Sequence, residues 1–179
     1  TSVKTLTYGT IGNNQTFTLG SLASAAGIDT VTTGTGTNSI TFSASNGATT
    51  VNLAAGTYTV NASAATTGIT VAMTETALTA ADTLTGGSAS DTLTLTTDGG
   101  TGNFANVSGF ETITTAANNA ASITTADGNV ASGATMTINA SSMTSTVLTV
   151  DASAELDGAV SITALGTGDH QITLGYGND

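Results

Sequence analysis

Residues 82–94 have the sequence Asp82-Thr83-Leu84-Thr85-Gly86-Gly87-Ser88-Ala89-Ser90-Asp91-Thr92-Leu93-Thr94. In both halves an acidic residue precedes the pattern Thr-Leu-Thr, and the acidic and apolar positions repeat after nine residues. Alternation of hydroxyl and apolar side chains is typical of a short β-strand with one buried face, and Gly and Ser favour turns. The segment therefore predicts two short strands joined by a turn.

The nine-residue spacing is repeated by branched apolar residues over much of the chain. These residues are Val31 and Ile40, then Val51, Val60, Ile69 and Leu78, then Leu84 and Leu93, and the interval loosens to about ten residues from Ile113 onward. A ladder of this kind predicts an all-β fold of the β-solenoid type, a parallel β-helix or β-roll with Gly and Asn turns in which each half-turn adds one short Thr-rich strand. Short strands at this spacing are also typical of an antiparallel or mixed β-sandwich, which is the alternative.

Composition excludes several classes of function. Of the 179 residues, 42 are Thr and only 7% are charged, so hydroxyl groups must supply the polar surface that charged side chains supply in an average protein. Lys4 is the only basic side chain apart from the single His170, and twelve carboxylates give a formal net charge of −11. We therefore expect no nucleic acid partner, and we expect metal cations to bind because the carboxylates lack internal counter-ions. No run of 18 apolar residues occurs, so membrane insertion is not expected.

No linker divides the chain, because Pro is absent and the 22 Gly residues are spread throughout. Helical periodicity is confined to short stretches around Leu19 to Ala26 and Glu75 to Ala81, which cannot organise a fold. We expect a single β-rich domain over residues 1–179. The sequence starts without a secretory leader and stops within a Gly-rich motif, so we expect it to be a fragment of a longer secreted protein.

Three segments match the nonapeptide Gly-Gly-x-Gly-x-Asp-x-U-x, in which U is a large apolar residue. They are residues 29–41, 82–94 and 166–179. In the first, Asn38 stands where an acid is expected nine residues after Asp29, and in the last, His170 takes the acidic position and Asp179 restores it one repeat later. These degenerate segments resemble the RTX repeats of type I secreted proteins, above all those of bacterial surface-layer (S-layer) proteins.

The resemblance implies a parallel β-roll that leaves the cell by type I secretion, folds outside it, binds calcium between turns, and serves self-assembling coats on the bacterial cell surface. In such a turn Gly lets carbonyl oxygens converge and the Asp carboxylate adds charge. Calcium takes six to eight oxygen ligands, so more than one turn must contribute. The candidate calcium ligands are Asp82, Gly86, Gly87, Asp91, Asp98, Asp29, Asn38, Asp169 and Asp179.

Several acidic residues, Asp29 among them, also have simpler interpretations. Asp29, Asp127 and Asp157 fit turn or cap positions. Glu111 and Glu155 fit surface positions beside apolar strands. The chain also lacks the carboxylates clustered with Arg or Lys that solenoid hydrolases and lyases use, so we expect no enzyme.

The sequence thus predicts a structural extracellular protein, a self-assembling surface-layer or filament subunit stabilised by calcium. Its partners would be copies of itself in a lattice or filament, and cell-surface glycan. One alternative is a calcium-dependent adhesin or carbohydrate-binding stalk with the same fold. Another is an ice-binding β-solenoid, in which Thr-x-Thr arrays match the ice lattice; the scatter of these arrays along the sequence argues against it.

Overall fold

The alternating Thr and apolar residues form short strands in the computed structural model, which describes residues 4–7, 14–44, 49–117 and 119–179. The two stretches with helical periodicity form one five-residue α-helix and a three-residue 3₁₀-helix, so they are as short as predicted. In chain order the elements are β1 (Thr5–Thr7), β2 (Gln15–Leu19), α1 (Ser21–Ala25), β3 (Thr30–Thr32), β4 (Gly36–Phe42), β5 (Thr49–Asn52), β6 (Gly56–Asn61), β7 (Ile69–Met73), a 3₁₀-helix (Glu75–Ala77), β8 (Thr83–Thr85), β9 (Thr92–Leu95), β10 (Gly102–Asn103), β11 (Val107–Ser108), β12 (Thr112–Thr114), β13 (Ala121–Thr124), a 3₁₀-helix (Asp127–Asn129), β14 (Thr135–Ala140), β15 (Leu148–Asp151), β16 (Ala159–Ala164) and β17 (Gln171–Thr173).

Within the described residues the strands form three parallel sheets. The first has the order β1-β3-β5-β7-β9-β12-β14-β16, the second β2-β4-β6-β8-β11, and the third β10-β13-β15-β17. Neighbouring strands come from successive coils, a coil being one full circuit of the chain. This arrangement confirms the predicted β-solenoid, with about seven coils, rather than the sandwich.

A coil is longer than two nine-residue repeats. Thr92 pairs with Thr112, 20 residues later, and Thr112 pairs with Thr137, 25 residues later. A third side begins in the middle of the chain: after β9 the chain forms β10 of the third sheet, then β11 of the second, and returns to the first sheet at β12.

Of the apolar anchors named from the sequence, all but Ile69 and Leu78 stack in two columns inside the solenoid. The column in the first sheet consists of the register partners Leu6, Val31, Val51, Val71, Leu93, Ile113, Ile138 and Ile162. The column in the second consists of Phe17, Ile40, Val60, Leu84 and Val107. The inner members of both columns are buried, and burying one such side chain stabilises a fold by about 1.5 to 3 kcal/mol. Stacking between coils therefore holds the molecule together.

The outer side of the first sheet carries aligned hydroxyl groups. One column of register partners is Thr5, Thr30, Thr50, Thr70, Thr92, Thr112, Thr137 and Ser161, and the next is Thr7, Thr32, Asn52, Ala72, Thr94, Thr114, Asn139 and Thr163. Neither column contains a charged residue. We call these two columns the threonine face. Arrays that look scattered in the sequence are thus brought into register by the coils.

The last coil leaves apolar side chains uncovered. Among the described residues, β16 pairs only with β14 and β17 only with β15, so each has one free edge. Ile172 and Leu174 are 45% and 49% exposed. Together with Val160 and Ile162 they line a groove of about 470 Å³.

Candidate functional site

Carboxylates are buried in this solenoid although the sequence contains only one Lys and no Arg. In the described part of the chain the buried ones are Glu75, Asp82, Asp91, Asp98 and Glu155. Lys4 is engaged elsewhere, in a surface ion pair with Asp29 that has 3.1 Å between Nζ and Oδ2. A buried carboxylate with no cation beside it requires hydrogen bonds, so backbone N–H groups must serve as partners.

Asp82 and Asp91 each lie immediately before a strand and bind the strand of the preceding coil. Asp82 Oδ1 accepts a hydrogen bond from the Tyr58 N–H at 2.7 Å, and its Oδ2 accepts from the Thr79 N–H at 2.7 Å. Asp91 Oδ1 accepts from the Ile69 N–H at 2.7 Å, and its Oδ2 accepts from the Gly87 N–H. Both carboxylates therefore extend the parallel hydrogen-bond ladder beyond the strand.

Two further carboxylates repeat this arrangement. Glu111, directly before β12, accepts from the Asp91 N–H at 2.7 Å and is half-buried rather than exposed on the surface as expected. Asp179 Oδ1 accepts from the Val160 N–H at 2.6 Å, and its Oδ2 accepts from the Gly175 N–H at 3.0 Å. Acidic residues that follow a turn thus connect successive coils.

Glu75 connects three coils and was not among the predicted site residues. Its Oε2 accepts hydrogen bonds from the N–H groups of Gly99 at 3.0 Å and Gly100 at 2.9 Å, in the following coil. Its Oε1 accepts from the Ser122 N–H at 2.8 Å, one coil further on. Because the side chain is fully buried, both oxygens depend on these backbone donors.

Asp98 is buried with only one oxygen satisfied. Its Oδ1 accepts a hydrogen bond from the Ala116 N–H at 3.2 Å, and its Oδ2 has no hydrogen-bond partner among the described residues. Burial raises the pKa of Asp98 from 3.8 to about 6; the negative charge of Glu75 adds to this rise, and the Ala116 N–H opposes it. The carboxyl group therefore titrates close to neutral pH.

This titration predicts a pH-dependent stability. Between about pH 4 and 6 the folded protein holds a proton on Asp98 that an unfolded Asp with a pKa of 3.8 has released, so the contribution of Asp98 to the free energy of unfolding falls as pH rises through this window. Thr97 and Gly99 beside it are exposed, so water screens part of the burial cost. Above about pH 6.5 we expect Asp98→Asn to stabilise the fold by on the order of 1 kcal/mol. Urea unfolding of the parent and of Asp98→Asn across this pH range measures the difference. A difference in the free energy of unfolding that stays constant with pH would contradict the raised pKa of Asp98.

The remaining predicted ligands do not gather in one place. Asn38 is a buried residue within β4, where its Nδ2 has no hydrogen-bond partner among the described residues, whereas Asp169 is exposed. Asp82 and Asp91 lie before strands of different sheets. Calcium binding at the nine-residue repeats stays a prediction, and it would involve oxygens that already accept backbone hydrogen bonds.

Gly86 and Gly87 lie in close contact with neighbouring coils. Neither is among the described glycines with positive φ. Instead, a Cβ at residue 86 would overlap the carbonyl oxygen of Gly109, and one at residue 87 would lie 2.5 Å from the carbonyl oxygen of Ala65. Close contact between coils requires these two glycines.

A second group of acidic residues lies in two neighbouring coils. One carboxylate oxygen from each of Asp127, Glu155 and Asp157 lies within 4.8 Å of the others. Asp127 and Asp157 are exposed, whereas Glu155, expected at the surface, is fully buried. The sequence signal was weak, since Glu155 stands between small and apolar residues with no repeat motif around it.

Comparison with known proteins gives no family assignment: no protein-family model, curated protein or solved structure matches the chain. None of the helices in the described ranges is long and apolar enough to cross a membrane.

Proposed function

We propose that the chain is a structural protein of the bacterial cell surface without catalytic activity, a self-assembling surface-layer or filament subunit stabilised by calcium. The observation that carries the proposal is the threonine face, which extends across all eight strands of the first sheet without a charged side chain. The chain as a whole has a formal net charge of −11, so its carboxylates lie outside this face.

The charge distribution favours contact through this face. Copies of a protein with this net charge repel one another wherever carboxylates face each other. The threonine face avoids that repulsion. Each hydroxyl group also donates one hydrogen bond and accepts others, so the same face on two copies is complementary to itself.

Calcium would promote assembly by neutralising negative charge. Divalent cations outside the cell would neutralise part of the net negative charge and so remove repulsion both within and between copies. Assembly and compaction should therefore increase with calcium and decrease when a chelator removes it.

A substitution on the threonine face tests the proposal. Thr70→Lys places a charge at the centre of this face, and the matched control Thr59→Lys places one on the exposed side of the second sheet in the same coil. In millimolar calcium we expect Thr70→Lys to raise the protein concentration needed for assembly at least about tenfold, because an unpaired charge would be buried in every contact. Sedimentation and electron microscopy measure this. Assembly by Thr70→Lys equal to that of the control would refute a role for the face.

The same face favours ice binding as a second candidate function. Neighbouring strands lie about 4.8 Å apart and alternate residues about 6.6 Å apart, so the aligned hydroxyl groups form a regular two-dimensional array. Asn52, Ala72 and Asn139 interrupt only one of the two columns. Thermal hysteresis that Thr70→Lys abolishes and Thr59→Lys retains would support this candidate over assembly, and its absence in the parent protein would remove the candidate.

A further inference from the structure

The acidic cluster of Asp127, Glu155 and Asp157 lies where strand pairing stops. β11 is the last strand of the second sheet, and the 3₁₀-helix Asp127–Asn129 packs against it in the next coil. The Asn129 Nδ2 donates to the carbonyl oxygens of Phe104 and Val107, both at 2.6 Å. Side chains therefore replace the strand ladder on this side of the solenoid.

The following coil is attached in the same way. Asp127 Oδ1 accepts a hydrogen bond from the Leu156 N–H at 3.0 Å, so the loop of residues 155–158 contacts the 3₁₀-helix directly. This contact brings carboxylates of two successive coils together. Among the described residues the cluster thus bridges two coils on the side where the second sheet has ended, next to the backbone hydrogen bond from the Gly133 N–H to the Asp157 carbonyl oxygen.

Glu155 gives independent evidence for a ligand. The residue is fully buried, and its Oε1 accepts from the Gly158 N–H at 2.9 Å. Its Oε2 has no hydrogen-bond partner among the described residues. A buried carboxylate oxygen without a donor or cation is strongly unfavourable, so it indicates a group that completes the site.

The chemistry of the cluster identifies that group. Three carboxylates with oxygens within 4.8 Å of one another repel, and the chain's single Lys lies in the first coil. Two oxygens that share a calcium ion, each at 2.3 to 2.6 Å, are at most about 5 Å apart, which agrees with this spacing. Exposure of Asp127 and Asp157 leaves room for water ligands. Calcium accepts such a flexible set of oxygens, whereas magnesium demands near-ideal octahedral geometry.

We propose that Asp127, Glu155 and Asp157 bind one calcium ion between two successive coils, outside the nine-residue repeats. Asp127 contributes a carboxylate ligand from one coil, and Glu155 and Asp157 contribute theirs from the next. The ion would therefore link two coils on the side where the second sheet has ended. This site deepens the calcium part of the proposed function and rests on it.

Calcium titration of chelator-treated protein tests the site. We expect the double variant Asp127→Asn/Asp157→Asn to bind one calcium ion fewer than the parent, or to bind it at least about tenfold more weakly. Both side chains are exposed, so the variant should fold, and circular dichroism checks this. Asp151→Asn is the matched control, since it removes a charge from the same coil as Glu155 outside the cluster. Glu155→Gln tests the buried ligand itself and should weaken binding to a similar extent.

The outcomes separate this site from the wider proposal. Loss of one ion in the double variant, with parent-like binding in the control, supports the site. Unchanged binding in the double variant overturns the site and leaves calcium-dependent assembly standing. A parent protein that binds no calcium overturns both. Displacement of calcium by an equal concentration of magnesium would overturn the assignment of the ion.

Discussion

Replacing Gly86 with Ala is expected to destabilise the protein by about 3 kcal/mol, because the new Cβ would overlap the backbone carbonyl oxygen of Gly109 in the next coil. The overlapping atom is backbone, so no rotamer change can relieve the clash. The same Cβ would lie 2.8 Å from Asp91 Oδ2, the oxygen that binds the Gly87 N–H. For a chain of this length the loss corresponds to a decrease in Tm of roughly 6 to 12 °C.

Gly128→Ala is the matched control for this substitution. Gly128 is an exposed residue of the 3₁₀-helix Asp127–Asn129, and apart from its chain neighbours no described atom lies within 4 Å of the position of its added Cβ. We expect the control to change the free energy of unfolding by no more than about 0.5 kcal/mol. Thermal and urea unfolding in chelator measure both variants without a contribution from bound cations. Equal stability of the two variants would show that the coils can separate at Gly86 without cost.

The result also distinguishes two roles for the repeat. If glycines at this turn served only to direct carbonyl oxygens at calcium, Gly86→Ala would affect stability only when calcium is present. Close packing of Gly86 against Gly109 predicts the full effect in chelator as well. The comparison between chelator and calcium thus measures how much of the Gly pattern serves packing.

The sequence predicted the solenoid because half a coil is close to nine residues in the first part of the chain. Val31 and Ile40 lie in the first and second sheets, and Val51 and Val60 repeat them one coil later. The regular interval fails at Ile69, because the residue in register with Val51 is Val71. Leu78 directly follows the 3₁₀-helix that leads towards the third side of the solenoid, and its carbonyl oxygen accepts a hydrogen bond from the Asn103 N–H. β10 has only two residues and carries no alternation, so this strand of the third sheet could not be recognised.

The candidate sites were harder to predict than the fold. Composition indicated that most carboxylates would lack a cationic partner, and among the described residues only Asp29 has one. The local sequence, however, placed Glu155 at the surface, where the structure buries it. Burial of Glu75 depends on N–H groups 24 to 47 residues away, and burial of Glu155 depends on the stacking of two coils. A local pattern contains no information about such distant donors. The nine-residue motif singled out Asp82 and Asp91 because each directly precedes a strand, which is a local feature. Their hydrogen bonds to the N–H groups of Tyr58 and Ile69 in the preceding coil could not be predicted from it.

Glu75→Ala is expected to destabilise the protein by about 4 kcal/mol. The substitution leaves the N–H groups of Gly99, Gly100 and Ser122 without their acceptor, and each lost hydrogen bond to a charged group costs about 1.5 to 3 kcal/mol before partial access by water reduces the sum. The free energy of unfolding of Glu75→Gln should lie between those of the parent and of Glu75→Ala. The amide oxygen of Gln still accepts a hydrogen bond, whereas its NH₂ group faces a backbone N–H donor. Asp169→Asn, at an exposed carboxylate, is the control and should stay within about 0.5 kcal/mol of the parent.

Hydrogen exchange locates the effect of Glu75→Ala as well as its size. In a solenoid each coil contacts only its neighbours, so a lost connection opens the chain locally before it unfolds globally. We expect faster exchange at Gly99, Gly100 and Ser122 and unchanged exchange in the coil containing β4. Uniform acceleration along the chain would contradict a local connection. Local acceleration would show that the Glu75 carboxylate accepts hydrogen bonds from the two coils that follow it. These donors explain how a chain with one Lys and no Arg can bury Glu75 without a cation.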